Sequence, residues 1–449
     1  MAETKIDKKL TINFKEAEIK LKRMGQQHLL KSWDILSEKE QKSLLLDIES
    51  LDENFLTIVN KSFEHSKDSN LEPYKNYHIL SKNEFSEKGW SFIKEGKVGV
   101  IIAAGGEGTR FGFNGPKGCF PISNVRGKSL FQLFAEKIFY ASYLVGEPLS
   151  LAIMTSNKNH RATIEYFERY HYFGLESSQV SFFQQTEAPL LDSNKNLFLE
   201  SPFKIARGPD GNGAFFQSFY FSGIWEAWKK KGIKTINYIP IDNPLADPFD
   251  ANLIGFHEIS QNEITLKCIP RIDPQEKVGI ITLQHGKTKV IEYSEIDEKE
   301  KLAKDNNGSL KYFCANISLL CMEMELVKSI ACDSDKQLPY HLPFKSGHYK
   351  CEKFIFDVLP YANKVGALLY ARNDCFAPLK NANGSDSPLT VKQALLQKDI
   401  SQWSDISKTI PTQENFELSQ EFYYPNNEFS QKWKNKIMPT TNYIEGDSI

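Results

Sequence analysis

The chain has 449 residues, 41% hydrophobic and 25% charged, with a formal net charge of -2. That suits a globular protein of two or three domains, and the lack of a basic excess argues against a nucleic-acid partner, so an anionic ligand must be met by local cations. The opening MAETKIDKKL lacks a secretory-signal layout, no run approaches the roughly 18 apolar residues of a membrane span, and seven scattered cysteines without a CxxC read as reduced thiols, so a cytoplasmic protein with no membrane partner is expected.

Residues 1–95 read as a helical N-terminal region. Leu29, Leu30, Trp33, Ile35 and Leu36, then Leu44, Leu45, Ile48, Leu51 and Phe55, recur at near-helical spacing, and Ser37 with Glu40 forms a capping-box pattern. The character changes at Lys97. Val98–Ala103 is a continuous apolar run ending in glycines, which marks a buried strand with a glycine-rich loop at its end. Further strands are expected at 150–154, 180–184, 235–241 and 264–269, with helices at 129–144, 160–171, 215–231 and 252–258 between them. This alternation predicts an α/β fold with an open, largely parallel sheet, whose ligands sit beyond the carboxyl ends of the strands. Residues 278–295 read as a β-hairpin turning near His285-Gly286. The expected division is a helical region over 1–95, a core over 96–385, and a small, polar C-terminal region over 386–449 with a short helix at 389–397.

The informative stretch is Ala103-Ala-Gly-Gly-Glu-Gly-Thr-Arg-Phe-Gly112, followed by Gly115-Pro116-Lys117-Gly118. Gly105, Gly106 and Gly108 let the backbone turn sharply and bring its N–H groups up to phosphate oxygens. Arg110 and Lys117 add full positive charge, as a triphosphate and a departing pyrophosphate require. The Walker pattern GxxxxGK[ST] is absent, which argues against a P-loop kinase, and GxGxxG is missed by one position. A plain tight turn would explain the glycines but not the two cations.

This loop resembles the AGGxGTRxG…PKG signature of the eukaryotic-type UDP-sugar pyrophosphorylases, closest to the UDP-N-acetylglucosamine pyrophosphorylases. The resemblance implies a Rossmann-like nucleotidyltransferase core with a mixed, mostly parallel sheet. It makes Gly106, Arg110 and Lys117 catalytic, and Ala104, Gly105, Gly108 and Thr109 nucleotide-binding. Collinear matches run to Ala382. Phe182-Phe-Gln-Gln185 resembles the family's FFQQ, in which Gln185 would read the uracil edge, since an amide both donates and accepts. Pro209-Asp-Gly-Asn-Gly213 resembles PDGNGG with Ala214 in place of the last glycine; Gly211 would lie against the base and Asn212 would bond a sugar hydroxyl. Asp242, in Ile241-Asp-Asn243, would bind nucleotide and Mg2+, a hard ion suited to carboxylate oxygen. Gly279, Glu292 and Asn316 would line the sugar, with Phe313 and Ala315 departing from the family's NAGNI. Cys351–Asp357 resembles MEKFVFD, and Lys380 in Phe376–Ala382 would neutralise the sugar phosphate.

The implied reaction joins UTP and a sugar 1-phosphate to a UDP-sugar and pyrophosphate. Its nucleophile is already anionic, so alignment and charge neutralisation suffice. Gly279 leaves room for an N-acetyl group, favouring N-acetylglucosamine 1-phosphate. Glucose 1-phosphate or several sugar phosphates are the alternative acceptors. A reading of another class is an inactive relative that only binds nucleotide sugars.

Overall fold

The structure is a computed structural model that describes residues 11–64 and 71–446. The first ten residues, on which the reading of a missing signal rests, lie outside the described ones. Two compact units are interleaved in sequence. One gathers the described residues of Met1–Ser69 with Thr186–Ala214 and Gln337–Asp357; the other takes those of Asn70–Gln185, Phe215–Lys336 and Val358–Ile449.

In the first unit three helices, α1 (Phe14–Met24), α2 (Glu38–Glu49) and α3 (Phe55–Glu64), turn their apolar faces to one core. The expected capping box opens α2: the Ser37 N–H donates to Glu40 Oε2 at 2.8 Å. A second box, Asn13 with Glu16, opens α1, and Gly25 closes it in the left-handed conformation at φ 68°. Leu21, Leu44, Ile48 and Val59 pack against Leu191, Leu197, Ile205 and Cys351. Side chains on the helical segment also hold later strand backbone. Asp47 accepts from Ile205 N at 2.9 Å, and Gln26 accepts from Leu197 N at 2.9 Å. These polar ties fix the register that non-directional apolar contact leaves open.

The second unit is built on an eleven-stranded mixed sheet. Its strands are β1 (Leu71–Pro73), β2 (Tyr77–Ile79), β3 (Val98–Ala103), β4 (Leu151–Thr155), β5 (Val180–Gln184), β6 (Thr235–Pro240), β7 (Ile264–Pro270), β8 (Gly279–Gln284), β9 (Lys287–Ile291), β10 (Cys314–Glu323) and β11 (Val365–Leu369). The main path runs β2-β11-β7-β10-β6-β3-β4-β5, and β8 joins β1, β9 and β10. β6, β3, β4 and β5 are parallel neighbours, and β10 runs antiparallel to both β6 and β7. Val98 to Ile102 of β3 are all buried, as the unbroken apolar run requires.

Helices α4 (Ser86–Lys94), α5 (Leu130–Val145), α6 (His160–Arg169), α7 (Phe215–Phe221), α8 (Ile224–Lys230) and α9 (Ala251–Ser260) belong to this unit. The single helix expected over 215–231 is two, because Gly223 takes φ 82° and ends α7. α8 then lays Trp228 so close to β3 that a Cβ at Gly99 would stand 2.3 Å from its ring. α4 and α9 touch backbone to backbone: a Cβ at Gly255 would fall 2.0 Å from Phe85 O, and one at Gly89 1.8 Å from Ala251 O.

The other expected helices and strands form within two residues of their predicted ends, and the hairpin turns at His285-Gly286. β1, β2, β10 and β11 are strands that the sequence reading does not include, and β1 and β2 fall inside the 1–95 stretch read as helical. The C-terminal stretch also differs from its polar, poorly patterned appearance. Its helix runs Pro388–Ser407, and Trp403, Phe416, Phe422, Phe429 and Trp433 close into a core of their own. Trp403 stands on that helix and Phe429 and Trp433 on a second, Asn427–Trp433, while Phe416 and Phe422 come from the chain between, so no single period joins them.

Two buried polar groups bear on stability. Asp250 caps α9, accepting from Asn252 N and Leu253 N at 3.0 and 3.1 Å, and pairs with the buried Lys267 ammonium. Burial works to raise the Asp250 carboxyl, but Lys267 and the capping donors outweigh it and hold it below the usual range. Replacing Lys267 by Met leaves that carboxylate uncompensated; a loss of about 3–5 kcal/mol is expected in denaturant unfolding. Asp399, in the C-terminal helix, is pushed up to about 7 by burial despite hydrogen bonds from Tyr423 and Leu418. Its folded value lies above the unfolded one of about 3.9. Its contribution is therefore complete below that value and is lost as pH rises through about 7. Carboxyl titration by NMR should find the midpoint near 7, and hydrogen-exchange protection around Leu418 should fall across the same window.

Candidate active site

Strand register sets the site in the second unit. Ala103 of β3 pairs with Met154 of β4 and Pro240 of β6, and Thr155 pairs with Gln184 of β5. Four parallel strands thus end on one edge of the sheet. The glycine-rich loop after β3, Gln185 after β5 and Asp242 after β6 leave from that edge, as open α/β sheets favour.

The loop folds back on itself. Lys117 N donates to Gly106 O at 3.0 Å, and Gly108 N to Gly115 O at 3.0 Å. Its glycines then divide by cause. A Cβ at Gly105 would meet the Gln185 amide at 3.0 Å, one at Gly108 would meet Phe113 at 2.7 Å, and one at Gly118 would meet Phe131 at 2.2 Å. At Gly106 nothing lies closer than Lys117 Cε at 3.8 Å, so internal packing does not demand that glycine. Its backbone is left bare to solvent. Among the described residues, the N–H groups of Gly105, Gly106 and Glu107 find no hydrogen-bond partner. Successive unpaired N–H groups form an anion-binding concavity.

Two cations attend this loop. Arg110 and Thr109 are exposed. Lys117 is mostly enclosed, its side chain 15% exposed, with Nζ 3.8 Å from Asp242 Oδ2 and 3.4 Å from Leu379 O. Leu379 N donates to Asp242 O at 2.7 Å, and Lys380 follows directly, its ammonium over the Phe376 ring. Asn243, fully buried, ties the two segments together by donating to Cys375 O at 2.7 Å and accepting from Ala377 N at 3.0 Å. Sequence reading gave Asn243 no role. A short polar residue next to a strand-end aspartate was the available signal.

Gly279, Glu292 and Asn316 come together as well. Gly279 of β8 pairs with Asn316 of β10. The side of Gly279 where a Cβ would stand is occupied by Val290 Cγ1 at 2.8 Å and Glu292 Oε1 at 3.2 Å. The glycine therefore lets Glu292 close on β8, and the space it vacates is filled by protein rather than left for an N-acetyl group. Asn316 stands at a bulge opposite Lys267/Cys268, its Oδ1 accepting from Ser318 N at 3.2 Å. Ser318 sits at φ 58°. Bulges of this kind re-aim a side chain.

Gly211 and Asn212 lie in the first unit. A Cβ at Gly211 would fall 2.2 Å from Lys353 O, and one at Gly213 2.9 Å from the Lys353 backbone carbon. Both glycines are thus demanded by the close approach of Cys351–Asp357. Asn212 Oδ1 accepts from Ile355 N at 2.9 Å, which fixes the amide and leaves Nδ2 as its free donor end. Asp210 is pushed up by burial, against the pull of Lys353 at 3.5 Å and of Thr186 at 3.0 Å. Lys353 was also given no role by the sequence, although it stands inside a quoted motif.

Among the described residues no group of three or more His, Cys, Asp and Glu could hold a metal. Asp242 is a single carboxylate with an ammonium beside it. That fits a Mg2+ carried in on phosphate oxygens, with most ligands supplied by substrate and water, better than a dedicated cage.

Residues 50–427 match the family described as UTP--glucose-1-phosphate uridylyltransferase. UDP-N-acetylglucosamine diphosphorylase 1 of Arabidopsis thaliana is 34% identical, with 84% of this chain and 82% of the relative covered. The UDP-N-acetylglucosamine pyrophosphorylase of Saccharomyces cerevisiae is 32% identical over 94% of this chain and 97% of its own. Among solved structures, the uridine diphosphate N-acetylglucosamine pyrophosphorylase of Trypanosoma brucei, in complex with an inhibitor, superimposes with a TM-score of 0.79 at 27% identity, over 94% of this chain and 95% of its own. The family model spans most of the chain and the relatives exceed 30% identity over most of its length, and the chain belongs to the UDP-sugar pyrophosphorylase family.

Proposed function

We propose that this protein is a UTP:N-acetylglucosamine-1-phosphate uridylyltransferase, forming UDP-N-acetylglucosamine and pyrophosphate. The observation that carries the reading is the set of unpaired N–H groups of Gly105, Gly106 and Glu107 near Lys117 and Asp242. Such a nest, flanked by Arg110 and Lys117, takes up a triphosphate. Gln185, packed on Gly105, offers an amide to the uracil edge; the close approach at Gly211 goes to the Lys353 backbone. Ala104, Gly108 and Thr109 complete the loop.

In the reaction a sugar-phosphate oxygen attacks the α-phosphorus of UTP. A P–O bond forms to the acceptor, the bond between the α-phosphorus and the bridging oxygen breaks, and pyrophosphate leaves with that electron pair. No proton needs to move, so no general base is required. Lys117 and Arg110 meet the charge growing on the leaving group, and Lys380 meets the acceptor phosphate. Glu292 and Asn316 orient the sugar hydroxyls, and the family resemblance assigns the free donor of the Asn212 amide to a sugar hydroxyl. Mg2+ on Asp242 would neutralise triphosphate charge when bound. A cytoplasmic location belongs to the same reading, supported by seven free cysteines.

Glucose 1-phosphate is the second acceptor to weigh, because the space at Gly279 is filled by Val290 and Glu292. Pyrophosphate release with UTP, Mg2+ and each sugar phosphate in turn separates the two. N-acetylglucosamine 1-phosphate should be preferred; preference for glucose 1-phosphate would move the assignment, and no release with any would leave only a binding role. Lys117→Ala should lower kcat by about 10²–10³-fold with an unchanged circular-dichroism spectrum. Asn212→Asp keeps the acceptor for Ile355 N but loses the donor; kcat/KM for the sugar phosphate should fall about 10- to 100-fold while the KM for UTP holds.

A further inference from the structure

Asn159 lies just before α6 and is 1% exposed. A polar residue at that position ordinarily caps its helix by accepting from the first-turn N–H groups. Here its side chain makes no cap hydrogen bond into α6. Oδ1 accepts instead from Ser156 N at 2.8 Å, upstream of the helix. Nδ2 donates to Ala104 O at 3.0 Å and to Gly106 O at 3.3 Å. Only the NH2 end of an amide can face two carbonyls, so this set fixes the side chain's orientation.

A trans peptide unit is a rigid plane with its C=O and N–H pointing opposite ways. Drawing in the carbonyls of Ala104 and Gly106 turns the N–H groups of Gly105 and Glu107 away from Asn159. Those are two of the three unpaired donors of the nest. We propose that Asn159 is a positioning residue for the triphosphate, holding the loop's peptide planes with acceptors inward and donors outward. The inference rests on the reading of this loop as a UTP cradle. Glycines at 105 and 106 call for restraint, since their planes rotate at little steric cost; Lys117 N also holds the Gly106 carbonyl at 3.0 Å, while the Ala104 carbonyl is held by Asn159. A plane turned over would present a carbonyl oxygen to a phosphate.

The test compares Asn159→Asp and Asn159→Ala with the parent enzyme. UTP affinity is read by calorimetry, and the KM for N-acetylglucosamine 1-phosphate is read at saturating UTP. Asn159→Asp keeps the acceptor for Ser156 but sets an oxygen against two carbonyls. Its Kd for UTP should rise about 10- to 100-fold, and that of Asn159→Ala by less. The KM for the sugar phosphate should stay within about twofold for both variants, because its groups stand on other segments. Lowering the pH should restore part of the UTP affinity of Asn159→Asp, whose carboxyl regains a donor when protonated, and none of that of Asn159→Ala. If either folded variant binds UTP like the parent, or loses affinity for both substrates equally, the inference is overturned while the parent's activity stands. A parent that neither binds UTP nor releases pyrophosphate sinks the functional reading and this inference with it. Should Asn159→Asp not fold, Asn159→Ala decides by the same readings.

Discussion

The placing of the glycine-rich loop, Gln185 and Asp242 depends on four parallel strands ending level with one another. β6, β3, β4 and β5 are held in register by their ladders, so that Ala103, Thr155, Gln184 and Pro240 share one edge. A parallel pair cannot be closed by a tight turn, so each connection carries a helix away and back. The groups that leave this edge come from segments more than a hundred residues apart. A one-residue slip would turn every strand over and scatter them. The apolar core that resists the slip is therefore also what aligns Lys117, Gln185 and Asp242.

In each unit, loops are tied by side-chain amides. Asn243 ties the segment after β6 to the chain before Lys380, and the Asn212 side chain grips Ile355 N. An amide offers a donor and an acceptor in a fixed plane at modest desolvation cost. Of the two cations of the glycine-rich loop, Arg110 is exposed. Lys117 is the one with a built environment: it is mostly enclosed between Asp242 and the carbonyl of Leu379.

Much of this was legible in the chain. The run Val98–Ala103 announced a buried strand and its glycines a loop. What stayed hidden is physically informative. The strand Cys314–Glu323 lies in the interior of the sheet and is apolar on both faces, so it shows no alternation to read. The break at Gly223 inside a helical pattern was passed over because an isolated glycine is usually tolerated there. The C-terminal core is shared between two helices and the chain that joins them, so no single period spans it. Gly279 shows the limit most clearly: a missing side chain reads as space for ligand, yet the space goes to Val290 and Glu292. Which of these a glycine serves depends on neighbours that no local pattern encodes.

The closeness of Gly211 and Gly213 to the Lys353 backbone carries over to how such an enzyme can be recombined. Two peptide chains in contact leave no side chain to absorb a mismatch, and Asn212 adds a directed bond to Ile355 N. The stretch Pro209–Gly213 and the stretch Cys351–Asp357, some 140 residues apart along the chain, are one part in three dimensions. They form a single unit of exchange. A chimera that swaps either stretch with a relative inherits half a clasp, whereas one that moves both carries the whole clasp with it.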